Sequence, residues 1–471
     1  MTILLLFVPF AALIILNLLP RSVRWPASVA TSAVLLAAEI VAAILMPLGV
    51  IDLSGLTPLE NAFPFHLTAD ALSSLVFLCA GLAGLAALAV CGSTMKSDRD
   101  GFIFVNLLLI ALIGMNGIAM VRDLFSLYVF IEVTATSTFI LIAIGRGRDA
   151  FEGLWKYLIL SFMATVFMLT GVALLLLFTG DITLDAAAAA FGQPGSLAWV
   201  ALLLYFCGLF VKAGLVPFHG WLADAYTGAP PAVSTFMAGV VTKASGILAL
   251  MRVAQSPLGS SPMIRELLLI VGTVSAVAGA FLALNQKNMK RMLAYSSVSQ
   301  MGYIVLALGA GSQLAIVASA LHFFVHSISK AQLFTNAAAI EQRLGTLDMD
   351  QMGGLASRMP LTGASAAAAT LSVAGLPPLA GFWTKLLIVL ALWQAGAQVW
   401  AVIAILTSVL TLAYFLSLQR RVFFGTVADT WRAVKEAGPG LTIPAVALAV
   451  VTIGVGVGFP FLLPLILGGG S

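Results

Sequence analysis

Apolar runs of about 20 residues, each long enough to cross a hydrocarbon core, follow one another through the whole sequence. They fall near 2–19, 27–48, 69–91, 102–120, 123–144, 154–178, 197–226 and 231–252, then near 263–284, 291–310, 313–339, 362–394, 398–419 and 441–466. With 61% hydrophobic and 9% charged residues among 471, a water-soluble fold could not cover its own surface. Lipid must be the solvent for most of the chain. The expected fold is all-α and polytopic, with about 14 transmembrane helices in one membrane domain. The first run lacks the basic start and cleavage site of a signal peptide and reads as a retained span.

Composition also excludes several functions. Cys79, Cys91 and Cys207 are scattered through apolar runs and read as small hydrophobes. An iron–sulfur cluster needs grouped thiolates, and no dinucleotide fingerprint follows a strand pattern. No cofactor is expected in this chain, so any electrons would travel elsewhere. No basic face suits nucleic acid.

Lys and Arg favour cytoplasmic loops. With the N-terminus outside, 16 of the 23 basic residues fall in or beside inner loops, among them Lys156, Lys290, Arg343 and Arg421. Only Arg122, Arg252 and Arg265 fall outside. Both termini are then expected on the outer side of a bacterial-type inner (cell) membrane. Four lysines have no loop to occupy: Lys212, Lys243, Lys330 and Lys385.

A lysine at the bilayer centre costs about 2.5–3.5 kcal/mol on insertion scales, so four of them point to function. The competing reading is snorkelling to the interface. Lysine suits proton transfer because a nearby carboxylate can switch it between holding and releasing its proton. Glu132, inside the fifth span, is the natural carboxylate; otherwise it pairs permanently with a lysine to hold helices together. Glu39, in the second span, is either a lateral contact or a hydrogen-bonded acid. In the eleventh span His322, His326 and Lys330 recur every four residues, on one helical face. That stripe suggests a proton relay, with no third ligand spaced to complete a metal site. His66 falls in an outer loop, and His219 beside a helix break, where a structural hydrogen bond suits it.

Two spans are broken in mid-membrane, one by Gly214 and Pro217 and the other by Pro377 and Pro378. Proline removes a backbone donor that lipid cannot replace, so such breaks survive where they line a hydrated cavity. Each break carries a lysine, Lys212 or Lys385. A packing kink would explain either one alone. The breaks lie five spans apart, so the two helices run in opposite directions, as expected of inverted five-helix repeats at 101–253 and 262–425. Residues 1–100 supply three N-terminal helices, and 441–466 the last.

At these residues the sequence resembles the antiporter-like subunits of respiratory complex I, energy-converting membrane hydrogenases and multisubunit sodium/proton antiporters. The matching stretches are 124–132 (LFSLYVFIE), 211–224 (VKAGLVPFHGWLAD), 228–234 (GAPPAVS), 242–243, 289–297 (MKRMLAYSS), 300–303, 322–330 and 375–385. The resemblance implies that Glu132 modulates Lys212 and that Lys243 connects at mid-membrane. It also implies that His322, His326 and Lys330 continue a hydrophilic axis to Lys385, where some relatives carry glutamate. The sequence ends soon after its last span, which suggests a middle-type subunit without a long lateral helix or an extra domain.

The function expected is a proton-translocating, antiporter-like subunit of a redox-driven membrane complex, of the NADH-quinone oxidoreductase or hydrogenase kind. Its partners would be sister antiporter-like and small membrane subunits, the lipid bilayer, and protons or sodium. A subunit of a sodium/proton antiporter without redox chemistry is the alternative, and a structural subunit with a dead channel a third.

Overall fold

The computed structural model describes residues 4–47, 67–191 and 198–468. His66 and the last residues, 469–471, lie outside the described residues. Among those described there are helices and no sheet; only Asp123 with Thr183 and Asn288 with Asp348 form isolated bridges.

The chain begins with α1 (Leu4–Leu18), α2 (Arg21–Leu45), α3 (Ala71–Thr94) and α4 (Asp98–Met120). Next come α5 (Leu124–Ala143), α6 (Arg148–Thr179) and a short α7 (Leu184–Phe191). The first break separates α8 (Ala198–Ala213) from α9 (Gly220–Gly228). Helix α10 (Pro231–Phe236) continues through wide π-helical turns at Met237–Val241 and Lys243–Leu248 into α11 (Ala249–Gln255). The second half holds α12 (Pro262–Leu284), α13 (Met289–Leu308) and α14 (Gln313–Leu344). After these, α15 (Pro360–Ala374) and α16 (Ala380–Gln394) flank the second break, and α17 (Gln398–Leu418) and α18 (Pro439–Gly468) complete the bundle. Eleven of the described helices, with α10–α11 taken as one, are long and apolar enough to cross a membrane. Three more, α1, α8 and α16, are shorter and apolar.

Local chemistry sets the ends. Asp123 and Asn288 cap α5 and α13 by accepting from the amides of Ser126 and Arg291. Helices α6 and α14 both stop at a left-handed glycine, Gly180 and Gly345. These parallels are systematic. Helices α5 and α13 each have 20 residues, α6 and α14 each have 32, and both pairs start 165 residues apart. The bridge Asp123–Thr183 recurs at the same offset as Asn288–Asp348.

Helix α14 sits at the centre, against α3, α10, α13, α15, α16 and α18. On the periphery Phe151, Trp155 and Phe162 of α6 and Val399, Leu406 and Val409 of α17 remain exposed. That is the dress of a lipid- or subunit-facing surface.

One end of the bundle gathers the basic residues and is called the basic face below. There Asp224 bridges Lys156 and Arg291 at 2.7 and 2.5 Å, and Asp350 meets Arg421 and, at 3.6 Å, Lys287. Two cations counted as loop residues from the sequence are buried instead. Lys290, on the first turn of α13, reaches Glu341 of α14 at 2.7 Å. Arg252, on the last turn of α11, binds both oxygens of Asp70 and the Ser73 hydroxyl. Each is drawn inward by a carboxylate on a neighbouring helix, which charge counting along a sequence cannot reveal.

Candidate functional site

Each break is held by the same set of contacts. The amide of Gly214 bonds to Val211 O and that of Leu215 to Phe210 O. At the second break Gly375 bonds to Ser372 O and Leu376 to Leu371 O. Gly214 and Gly375 adopt φ of 64° and 90°, where a side chain would be strained. The Val216–Pro217 and Pro377–Pro378 bonds are both cis. Side chains also donate to carbonyls at the breaks: Trp221 Nε1 to Val211 O, and Lys385 Nζ and Ser408 Oγ to Ala374 O.

The four lysines are buried, so none snorkels. Lys212 Nζ lies 2.8 Å from Glu132 Oε1 and donates to Ser161 Oγ at 2.5 Å. Thr165 Oγ1 donates to the same carboxylate oxygen at 2.8 Å. The Glu132 side chain is 25% exposed and that of Lys212 only 1%. This pair therefore opens toward the outside on its acidic side.

The other lysines find only neutral acceptors among the described residues. Lys243, at the start of the second π-helical stretch, donates to the carbonyls of Ala238 and Gly239. Lys330 Nζ donates to Leu293 O at 2.8 Å and to Ser296 Oγ. Lys385 Nζ donates to Ser408 Oγ at 3.1 Å and sits 4.9 Å from the Tyr303 ring centre. No carboxylate among the described residues fixes the charge of these three amines.

The histidines lie between them. His322 Nδ1 is 2.9 Å from Thr384 Oγ1, beside Lys385 in sequence, and Nε2 is 3.2 Å from Gln300 Oε1. His326 has no hydrogen-bond partner on either ring nitrogen among the described residues. Its ring lies parallel to that of His322 with centroids 6.4 Å apart, and Lys243, Lys330, His322 and Lys385 all act on it electrostatically. A buried imidazole without partners, among four titratable groups, is a poor structural residue and a serviceable proton carrier. Glu39 lies apart from this row. Its Oε1 accepts from Asn116 Nδ2 at 2.6 Å, and its other oxygen has no partner among the described residues. No group of three or more His, Cys, Asp or Glu side chains among the described residues could hold a metal ion.

The two lysines at the breaks do not occupy equivalent positions. In the register of the break glycines, Lys212 corresponds to Val373 and Lys385 to Asp224. Lys212 precedes its break and Lys385 follows its own. Because α8 and α15 approach their breaks from opposite faces, both lysines lie on the side of the break away from the basic face. The 165-residue offset adds what the sequence reading missed: His322, His326 and Lys330 of α14 stand where Tyr157, Ser161 and Thr165 stand on α6. Ser161 and Thr165 are the hydroxyls that surround the Glu132–Lys212 pair. A four-residue polar stripe on both helices was the available signal.

Residues 121–411 match the family described as "NADH:quinone oxidoreductase/Mrp antiporter, TM". NADH-quinone oxidoreductase subunit N of Desulforudis audaxviator is 34% identical over 399 residues, covering 82% of this chain and 79% of the relative. A Na(+)/H(+) antiporter subunit of Alkalihalophilus pseudofirmus is 31% identical over 408 residues, covering 85% and 82%. Among solved structures, a chain of the Mrp complex from Dietzia sp. DQ12-45-1b superposes with a TM-score of 0.87 at 26% identity, covering 99% of this chain and 96% of that one. A chain of respiratory complex I from Thermus thermophilus does so with 0.80 at 31% identity, covering 98% and 99%. By sequence and by fold, the chain belongs to the NADH:quinone oxidoreductase/Mrp antiporter transmembrane family.

Proposed function

We propose that this chain is a proton-translocating, antiporter-like subunit of a redox-driven membrane complex. The observation that carries the proposal is the contact of buried Lys212 with half-buried Glu132, followed by three lysines and two histidines that no carboxylate among the described residues fixes in one charge state. Water at the basic face reloads Lys212 or Lys243. A conformational or electrostatic signal from a neighbouring subunit alters the Glu132–Lys212 pair. The proton then passes through Lys243 and the His322–His326–Lys330 stripe to Lys385 and leaves on the opposite face. Lysine fits each station because a small change in surroundings moves its proton.

Fourteen spans arranged as two inverted five-helix repeats, 101–253 and 262–425, belong to the same proposal. The first three helices precede them and the span at 441–466 follows. The equal lengths and 165-residue offset of α5–α6 and α13–α14 support the repeats, as do the matching hydrogen bonds at the breaks. The basic face is then cytoplasmic and both termini are external, in a bacterial-type inner membrane.

The relatives include NADH-quinone oxidoreductase and F(420)H(2) dehydrogenase subunits, the latter from Methanosarcina mazei at 32% identity. They favour a redox-driven assembly with sister membrane subunits, its cofactors on other chains. The antiporter relative keeps a sodium/proton antiporter without redox chemistry as the second reading. The test is Lys212→Ala and Glu132→Ala in the native complex, with assembly verified and proton uptake followed in membrane vesicles. Both are expected to abolish pumping; normal pumping in an assembled variant overturns the proposal.

A further inference from the structure

Among the described residues Glu39 is the one acidic side chain that is buried, 3% exposed, and the proton route above leaves it unused. It meets Asn116, which is fully buried. Asn116 Nδ2 donates to Glu39 Oε1 at 2.6 Å and to Leu5 O at 3.0 Å, so one amide ties α2 and α1 to α4. The Leu5 carbonyl can only accept, which fixes the nitrogen of that amide on this side.

The two joined groups keep one oxygen each, Glu39 Oε2 and Asn116 Oδ1, without a partner among the described residues. An ionised Glu39 would hold its charge away from water on a single neutral N–H, a costly arrangement. A proton on Oε2 removes the charge and turns that oxygen into a donor, for which Oδ1 is the free acceptor. Planar acid and planar amide then close a cyclic pair, Nδ2–H to Oε1 and Oε2–H to Oδ1. One proton satisfies both orphaned atoms. A sodium ion needs a fuller oxygen cage than these two atoms offer.

The surroundings supply no cation. Helix α2 packs on α1, α3 and α4. Helix α1 carries no titratable side chain, and α3 carries only the thiols Cys79 and Cys91. Asp70, at the start of α3, is already bound to Arg252 and Arg122. Asp98, Arg99 and Asp100 open α4, and Arg21 and Arg24 open α2. Those first turns lie toward the basic face, where Gln342 Nε2 donates to Ser93 O beside the α3–α4 turn. Glu39 and Asn116 lie toward the other ends, about 9 and 6 Å of helical rise before Leu45 and Met120.

We propose that Glu39 is a proton-binding site outside the translocation row, held at neutral pH as a carboxylic acid paired with Asn116, and that its proton fastens α1 and α2 to α4. With the proton in place the three helices share a neutral hydrogen-bonded knot. When the proton leaves to water on the face opposite the basic one, a carboxylate is left facing the Asn116 carbonyl oxygen with no cation near it, and the knot loosens. Glutamine would tie the helices as well and could never ionise; the acid adds reversible proton binding to the same contact.

Glu39→Gln reproduces the acid's shape and both of its hydrogen bonds without a titratable proton. In the purified native complex at pH 7, E39Q is expected to assemble and to melt as wild type does, while Asn116→Leu, which removes both bonds, melts several degrees lower. The infrared difference between wild type and E39Q is expected to show a carboxylic-acid C=O stretch that belongs to Glu39. In alkali the wild type should lose melting temperature that E39Q keeps, because only the wild type has an acid to ionise. Carboxylate bands in place of the acid stretch, or an E39Q complex that is unassembled or destabilised at pH 7, overturn the site. Parallel melting of the two proteins in alkali overturns the fastening. A rise in wild-type melting temperature with sodium chloride over choline chloride at equal ionic strength, missing from E39Q, marks a sodium site and overturns the assignment to a proton.

Discussion

Asp70→Asn tests how the three N-terminal helices are fastened to the rest. Asp70 caps α3 by accepting from the Ser73 amide at 2.9 Å, and its carboxylate receives Arg252 Nη1 and Nη2 at 2.6 and 2.9 Å. Arg122 adds a contact at 3.1 Å. Burial pushes this carboxyl up, but the Arg252 hydrogen bonds and charge, with the Ser73 amide and Arg122, outweigh burial and hold it at about 2 against an ordinary 3.8. Asparagine copies the protonated carboxyl in shape and is an equally good cap, so the substitution removes the charge alone. The depression from 3.8 to about 2 corresponds to about 2.4 kcal/mol at 1.36 kcal/mol per tenfold. With the Asp70 side chain 41% exposed, solvent screening reduces this to roughly 1 kcal/mol. The folded carboxyl is more acidic than the unfolded one. Its stabilisation is therefore complete above about pH 3.8 and is lost as the pH falls through about 2.

Thermal unfolding of the purified complex at pH 7 should show Asp70→Asn destabilised by roughly 1 kcal/mol, with a coupling of similar size in a cycle with Arg252→Gln. The difference from wild type should shrink in acid. Strictly additive single substitutions, or an Asp70→Asn protein as stable as wild type at pH 7, would rule the charge out as the fastening.

Three further outcomes follow from the geometry. His326→Leu costs little stability, since the ring nitrogens have no partners to lose among the described residues, yet should slow proton uptake by about a hundredfold if the ring carries protons; unaltered uptake removes it from the path. Gly375→Ala puts a Cβ 3.0 Å from Lys385 Cδ at a φ of 90°, so uptake should fall in assembled complex, and an unchanged rate would show that the placement of Lys385 does not matter. Glu436→Ala removes the carboxylate that accepts from the Leu361 amide at 2.8 Å and from Thr362 Oγ1 at 2.6 Å, at the start of α15. It should cost about 1 kcal/mol of stability, measured by thermal unfolding.

Much of the membrane character could be read from local chemistry alone. A chain with 9% charged residues has no means of facing water, and a proline in a helix interior removes a backbone donor, which marked the two breaks. The lysines of the candidate site could be found by asking which basic residues had no loop to occupy, because a charge in an apolar run is costly and therefore conspicuous. The hydroxyls around Glu132 could not be found in this way. The spacing of Tyr157, Ser161 and Thr165 marks a polar stripe on α6, but only packing against α5 and α8 gives the two hydroxyls their partners, Lys212 and Glu132.

Whatever depends on one segment and its solvent was therefore legible along the chain: helices, breaks and the expense of buried charge. Pairing between helices distant in sequence was settled by tertiary packing alone. Packing brought Lys290 and Arg252 in from their expected loops, because Glu341 and Asp70 wait on neighbouring helices. It also set Lys212 and Lys385 at non-equivalent positions of two similar breaks. The energy of a buried charge depends on what lies within a few ångströms of it, and that neighbourhood is assembled from residues up to 182 positions apart.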